Sequence, residues 1–180
     1  MPKRWIHALL LALTCAAVSS AHALTAQQAQ ALAVGESDDR VAALHAIGQG
    51  ADERTVAFIR ALADDAVKLV AGHPVIVVDD KAVDPVTGAE VALPETAEDV
   101  MNNNRMRSEI DNAIATVSLM SPDVATRRAA LETLRGNVDV DKLAPLEKAL
   151  AAETVPALRS QLAQLRAAAL LSSDDPALRL

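Results

Sequence analysis

Three groups of side chains in this sequence have the residue types from which binding or catalytic sites are built. Two histidines, His45 and His73, could contribute to a metal site. A short stretch collects four acidic residues that could bind a cation or act as an acid–base pair, namely Asp79, Asp80, Asp84 and Glu90. An Asn- and Arg-rich run at residues 102–107 offers many hydrogen-bond donors.

The spacing of these residues gives little support to metal binding or catalysis. No H-x-x-x-H or H-E-x-x-H motif is present, so a two-His site would need further ligands such as Asp79 or Asp80. The acidic residues do not follow the register of a Ca²⁺ loop, and turn formation and protection of a sheet edge explain them better. Ser118 and Ser121 lack a nucleophile elbow, and no glycine-rich phosphate loop occurs. We therefore expect no catalytic residue, no metal and no cofactor.

The Asn- and Arg-rich run is the one polar cluster with a distinct prediction. It comprises Asn102, Asn103, Asn104, Arg105 and Arg107. The guanidinium group has five donors in a fixed geometry, and buried polar groups are normally hydrogen-bonded. The cluster is either a structural latch that ties the preceding insertion to the helices or a docking patch for a partner.

The elements that must position these residues follow from the composition. The chain has 180 residues, of which 51% are hydrophobic but only 1% aromatic, with a net charge of −7. An apolar content dominated by Ala and Leu favours helices and disfavours an all-β sandwich. The acidic balance argues against nucleic-acid binding, and the single Cys excludes a disulfide framework. The length suits one domain or one short repeat array.

Residues 1–23 have the pattern of a secretory signal peptide. Lys3 and Arg4 precede an uncharged apolar run, and Ala21 and Ala23 give an A-x-A cleavage site. An uncleaved anchor and a lipoprotein signal at Cys15 are the alternatives. Cleavage would leave 15 basic and 24 acidic residues, a net charge of −9. No later stretch approaches the length of a membrane span, so we expect a periplasmic location.

Capping signals divide residues 24–180 into helices with one non-helical insertion. Thr25 and Asp52 begin two of the predicted helices, and Gly48 and Gly50 join a helix pair. Residues 66–95 combine a β-branched run with proline and turn chemistry, which predicts a small β-hairpin or meander.

The second half of the chain is predicted to be helical again. A long helix is expected from residues 96–99 to about Met120, with i,i+4 ion pairs Arg105–Glu109 and Arg107–Asp111 on its outer side. Ser121 is expected to cap the next helix, with Pro122 at its first position. Further helices are predicted to begin at Asp141 and Thr154.

An internal repeat is visible in the helical segments. Residues 40–44 (RVAAL) align with residues 127–131 (RRAAL), and each follows an Asp-rich cap. The fold prediction is therefore mainly α, with HEAT-like antiparallel helix hairpins and one β-hairpin insertion at 66–95. An irregular helix bundle is the alternative. Residues 174–180 copy the start of a repeat, so the array is expected to be open at its C-terminal end.

Three motifs in sequence order carry a resemblance to a known family. They are DPVTGAE at residues 84–90, NNRMR at residues 103–107 and LMSPD at residues 119–123. Together with the signal-like N-terminus and the helical repeats, they resemble the extracytoplasmic N-terminal region of bacterial urea ABC transporter permeases of the UrtB type. The family continues into a membrane domain that carries the transport path, and this sequence has no counterpart of that domain.

The resemblance implies a non-catalytic accessory module of a urea importer. Its expected partners are the transporter permease and the periplasmic urea-binding protein, at the outer face of the inner membrane. A stand-alone periplasmic HEAT-repeat scaffold unrelated to transport is the alternative function, and an uncharacterised hydrolase is a third. No residue of the family's translocation path has a matching position here.

Overall fold

The computed structural model describes residues 23–47 and 52–177. The predicted signal peptide (apart from Ala23), the glycine turn at residues 48–50 and residues 178–180 of the predicted open end lie outside them. The helices of the described part are α1 (Ala26–Ala33), α2 (Ser37–Ile47), α3 (Glu53–Ala63), α4 (Asn104–Ser118), α5 (Val124–Leu134), α6 (Leu143–Ala152) and α7 (Pro156–Leu171). A 3₁₀ turn at Val140–Lys142 precedes α6. The prediction of a mainly α fold with a small β insertion is confirmed.

The insertion is an antiparallel sheet of five short strands. They are β1 (Val67–Val70), β2 (His73–Val78), β3 (Lys81–Val83), β4 (Glu90–Val91) and β5 (Glu98–Asp99), in the order β4-β3-β2-β1-β5. Two-residue turns close the first two hairpins, and all four turn residues have positive φ: Ala71 and Gly72, then Asp79 and Asp80. Such turns match the twist of the strands they connect. The sheet is thus larger than the hairpin or short meander that the sequence predicted.

The helix capping predictions are confirmed in part. Thr25 and Gln28 form the expected capping box, and Asp52 accepts a hydrogen bond from the backbone N–H of Thr55 at 2.8 Å. The predicted cap at Ser121 is wrong, because Asp123 caps α5 by accepting from the Thr126 N–H at 2.7 Å. The helix therefore starts two residues later than a cap at Ser121 would place it.

The long central helix also starts later than predicted. The capping pattern predicts its start at residues 96–99, but residues 98 and 99 form β5 and pair with β1, with Lys68 Nζ 2.6 Å from Asp99 Oδ1. Asn103 caps α4 instead, since its Oδ1 accepts from the Met106 N–H at 2.8 Å. Residues 98 and 99 therefore pair with the edge of β1, although their local sequence favours a helix start.

Two hydrophobic clusters make up the buried interior of the described residues. The first combines α1, α2, α3, part of the sheet and the start of α4, and it contains Phe58, the only buried aromatic residue in the described part of the chain. The second combines the end of α4 with α5, α6 and α7. Helix α4 contributes Met106 and Ile110 to the first cluster and Ala115, in its last turn, to the second, which also includes Leu119 just beyond its end. Helix α2 packs mainly on α1 and α4, and α3 packs mainly on α4, rather than on each other, which corrects the predicted α2–α3 hairpin.

Candidate functional site

The Asn- and Arg-rich cluster lies between the last strand of the sheet and the first turn of α4. Most of its members contact distant parts of the chain. Asn102 is buried, and its Nδ2 donates to the Leu62 carbonyl at 2.8 Å. Asn103 donates to the Ser37 hydroxyl at 2.6 Å while it caps α4. Asn104 is exposed at the first position of α4.

The two arginines of the cluster form long-range ion pairs. Arg105 pairs with Asp38 at the start of α2, and Arg107 binds both carboxylate oxygens of Asp65 at 2.9 and 3.1 Å. Arg107 also donates to the Asn102 carbonyl at 3.2 Å. The predicted i,i+4 pairs with Glu109 and Asp111 are therefore wrong, because acidic residues on neighbouring elements lie closer to each guanidinium. The cluster contacts α2 and the α3–β1 turn rather than the hairpins of the insertion.

A buried arginine completes this cluster. Arg40 is only 5% exposed, and its guanidinium donates to the Leu32 carbonyl at 2.8 Å, the Met101 carbonyl at 2.9 Å and the Asn102 Oδ1 at 2.6 Å. Burial lowers the pKa of Arg40 from its ordinary value because it disfavours the charged form. In the sequence, Arg40 stands out only as part of the internal repeat. In the structure, its guanidinium joins the end of α1 to the segment that leads into α4.

The second arginine of the repeat alignment has a comparable role in the other half of the chain. Arg127 donates to both carboxylate oxygens of Glu153, at 2.8 and 3.0 Å, and to the carbonyls of Ser121 and Pro122. Glu153 also accepts from the backbone N–H groups of Thr154 and Val155. The hydrogen bond from Arg127 is the main reason that the pKa of Glu153 is lowered to about 2. Sequence reasoning missed Glu153, which no motif or cap pattern marks.

The acidic residues of the insertion lie in turns or contact neighbouring residues of the sheet. Asp79 and Asp80 form the β2–β3 turn, and Glu90 lies 3.4 Å from the ammonium group of Lys81 on the adjacent strand. Asp84 accepts three hydrogen bonds from Val86 and Thr87, of which those from Thr87 contribute most to lowering its pKa. Within residues 23–47 and 52–177, no three His, Cys, Asp or Glu side chains are grouped so that they could hold a metal ion.

His45 and His73 lie in different parts of the fold, on α2 and at the start of β2. His73 is exposed at the start of β2. His45 Nε2 lies 3.2 Å from Glu109 Oε2, and this pair borders a cavity of about 230 Å³ between α2, α4 and the segment that leads into α6. Asn112 also lines the cavity; it is 5% exposed, and its Nδ2 has no hydrogen-bond partner among the described residues. No motif or spacing in the sequence marks Asn112.

Comparisons with known proteins were made against families, curated proteins and structures. No protein-family model, no curated protein and no solved structure matches this chain. None of the described helices is long and apolar enough to cross a membrane. The functional proposal therefore depends on the geometry and on the motifs in the sequence.

The cluster offers a direct test of the latch interpretation. We expect Arg107→Ala to lower the melting temperature by roughly 2 °C, because it removes a two-oxygen contact with Asp65 and a bond to the Asn102 carbonyl. Arg105→Ala serves as the matched control, since its ion pair with Asp38 is more exposed, and we expect almost no change. The measurement is thermal unfolding by circular dichroism. Unchanged stability in both variants, with weaker association with a partner, would support the docking interpretation instead.

Proposed function

We propose that this chain is a non-catalytic extracytoplasmic interaction module of a urea ABC importer, located at the outer face of the inner membrane. The observation that carries the proposal is that each of the three resemblance motifs forms a joint, meaning a short segment whose hydrogen bonds hold two elements of the fold together. The residues that distinguish the motifs therefore stabilise the arrangement of the elements of the fold. A protein whose distinguishing residues define shape suits a binding role better than bond chemistry.

The first joint is residues 84–90. The Asp84 carboxylate organises the loop between β3 and β4 through bonds to Val86 and Thr87 of 2.7 to 2.9 Å. Arg54 of α3 then donates to the Val86 carbonyl at 2.6 Å, which holds the loop against the helices. A Cβ at Gly88, where φ is +76°, would lie 3.2 Å from the Arg54 guanidinium, so a side chain would disturb this joint.

The second and third joints lie at the two ends of α4. Residues 103–107 connect the start of α4 to α2 and to Asp65, as described above. Residues 119–123 connect α4 to α5, and Arg127 fixes their backbone through the Ser121 and Pro122 carbonyls at 2.9 and 3.1 Å. The three motifs therefore follow one another along the chain from the sheet, through α4, to the start of α5.

Met101 marks the surface next to the second joint that we propose contacts a partner. Its side chain is 79% exposed, although its neighbours Val100 and Asn102 are buried. Exposed methionine adapts well to a protein partner because it is flexible and polarizable. The expected partners are the permease and the periplasmic urea-binding protein, and the acidic charge of the chain predicts that salt weakens the contact.

The test is urea uptake in cells together with association of the purified components. We expect deletion of residues 24–177 from the chromosomal gene to reduce uptake of radiolabelled urea and to leave uptake of an unrelated solute unchanged. In pull-downs, Met101→Ser should weaken association about tenfold, which corresponds to 1.4 kcal/mol. Met120→Ser is the matched control, since Met120 is also exposed (45%) but lies at the other end of α4.

The same experiment distinguishes the competing function. If urea uptake is unchanged and neither the permease nor the urea-binding protein is retained, the importer proposal is wrong. The chain would then be a stand-alone periplasmic scaffold, and its partners would have to be found independently. Equal loss of association in Met101→Ser and Met120→Ser would show that the proposed contact surface is wrong.

A further inference from the structure

The cavity beside α4 has features of a ligand site that the motifs do not mark. It has a volume of about 230 Å³ and is lined on its apolar side by Leu44, Ala113 and Pro145. Its polar side includes Glu109, Asn112 and Thr116 from consecutive turns of α4. The volume lies below the roughly 300 Å³ at which drug-sized pockets begin, so a ligand must be small.

The carboxamide of Asn112 is the group that points to a ligand. Asn112 is 95% buried, yet its Nδ2 donates to no described residue. Its own backbone carbonyl is already used, because the Thr116 hydroxyl donates to it at 2.8 Å. A buried donor that has lost its water without gaining a partner is unfavourable, and most such groups in proteins are satisfied.

The other charged groups of the lining are committed largely to each other. Glu109 Oε2 contacts His45 at 3.2 Å, and Lys142 Nζ lies 2.7 Å from Asp139 Oδ2. Asp139 Oδ1 accepts from the Asp141 N–H at 3.1 Å, while Asp141 itself is exposed. The lining contains three carboxylates and one lysine, which disfavours an anionic ligand.

These groups together select one chemical class. A ligand must offer an acceptor to the Asn112 amide, which excludes guanidinium and simple ammonium ions as complete partners. It must also offer an N–H donor to the carboxylate of Glu109, and it must not carry negative charge. A carboxamide has an acceptor and a donor side by side, and it can pair with the Asn112 amide in either orientation of that amide.

We propose that this cavity binds a small neutral amide with a short aliphatic part, held by Asn112 and Glu109 against the apolar wall. The His45–Glu109 pair lies at the mouth, where His45 is 46% exposed and Glu109 19%. The proposal does not depend on the importer proposal, since it rests on the lining of the cavity alone.

The test uses propionamide as the probe and follows the Asn112 side-chain NH₂ signal by ¹H–¹⁵N NMR. We expect saturable binding with a Kd on the order of 1 mM, as suits so few non-hydrogen atoms, and a shift of the Asn112 signal. Propionate and propylammonium, which match the probe in size but not in charge, should bind at least about tenfold more weakly. Comparable binding of propionate would overturn the assignment of ligand class.

Two variants test the site itself. Asn112→Leu should weaken propionamide binding at least about tenfold and leave the fold intact, because Leu has a similar shape and no unpaired amide. Gln161→Leu is the matched control, since Gln161 also carries a buried oxygen without a described partner but does not line this cavity. Absence of binding to the unaltered chain, or equal weakening in both variants, would overturn the proposal. Should Asn112→Leu fail to fold, Glu109→Gln and the NMR shift map in the unaltered chain decide the same question.

Discussion

Replacing Arg40 with methionine is expected to lower the melting temperature by roughly 6 to 12 °C. Arg40 fills a buried position and donates to three acceptors that belong to α1 and to the entry of α4. Methionine matches the apolar stem of arginine but leaves those acceptors without donors. At about 1 kcal/mol for each of the three acceptors, the lower end of the usual cost of an unsatisfied buried group, and about 2–4 °C per kcal/mol for a chain of this size, the expected shift follows.

The control for this experiment is Arg60→Met. Arg60 lies on α3 and is exposed, so the same change of residue type should shift the melting temperature by no more than about 2 °C. A small effect in both variants would mean that water or neighbouring donors replace the Arg40 guanidinium. The α1–α4 connection would then depend on apolar packing alone.

Replacing Glu153 with glutamine is expected to lower the melting temperature at pH 7 by roughly 5 to 10 °C. The Glu153 side chain is only 2% exposed and forms a two-oxygen contact with Arg127, which is 14% exposed. Removing one partner of such a pair leaves the other charge uncompensated, a costly change in protein interiors. Glu147→Gln is the matched control, because its ion pair with Arg166, which joins α6 to α7, is exposed, and we expect little change.

The pH dependence of the Glu153 variant provides an independent check. The pKa of Glu153 is lowered from 4.5 to about 2, so its carboxylate binds fewer protons in the folded than in the unfolded chain. Its contribution to stability is complete above about pH 5 and is lost as the pH falls through 4.5 towards 2. The difference in melting temperature between the unaltered chain and Glu153→Gln should therefore narrow over this range. A difference that stays constant down to pH 2.5 would contradict the role assigned to the Glu153 charge.

Other carboxylates set the background of this measurement. Asp52, Asp84 and Asp123 also have lowered pKa values, chiefly through hydrogen bonds from Thr55, Thr87 and Thr126. They are present in both proteins, so acid destabilises both, and only the difference reports on Glu153. Each of the three carboxylates accepts from a residue three positions later in the sequence.

Features of the fold that depend on near neighbours could be predicted from the sequence. The capping box at Thr25, the cap at Asp52 and the β-branched strands follow from residues within one turn or hairpin of each other. The start of α4 could not be predicted, because pairing of residues 98 and 99 with β1 depends on a strand 30 residues away. The local preference for a helix is overridden by pairing with a strand that comes close only in the folded chain.

The same distinction between near and distant neighbours in the sequence applies to the candidate sites. Residues 102–107 stood out by composition, but their partners Asp38, Asp65 and Arg40 lie far away in sequence and were not foreseen. Asn112 carried no signal, because one asparagine on a helix is ordinarily an exposed residue. Its burial results from the packing of α4 against both hydrophobic clusters.

The position of α4 in both hydrophobic clusters has a consequence for how this protein can change over evolutionary time. Inserting or deleting a single residue within α4 rotates everything beyond it by about 100°. Such a change would leave Met106 and Ile110 in place and turn Ala115 away from its cluster. The two-residue turns of the sheet lie outside this constraint, since Asp79 and Asp80 are exposed. Among related sequences, we expect differences in length to accumulate at those turns, while the number of residues between Met106 and Leu119 stays fixed.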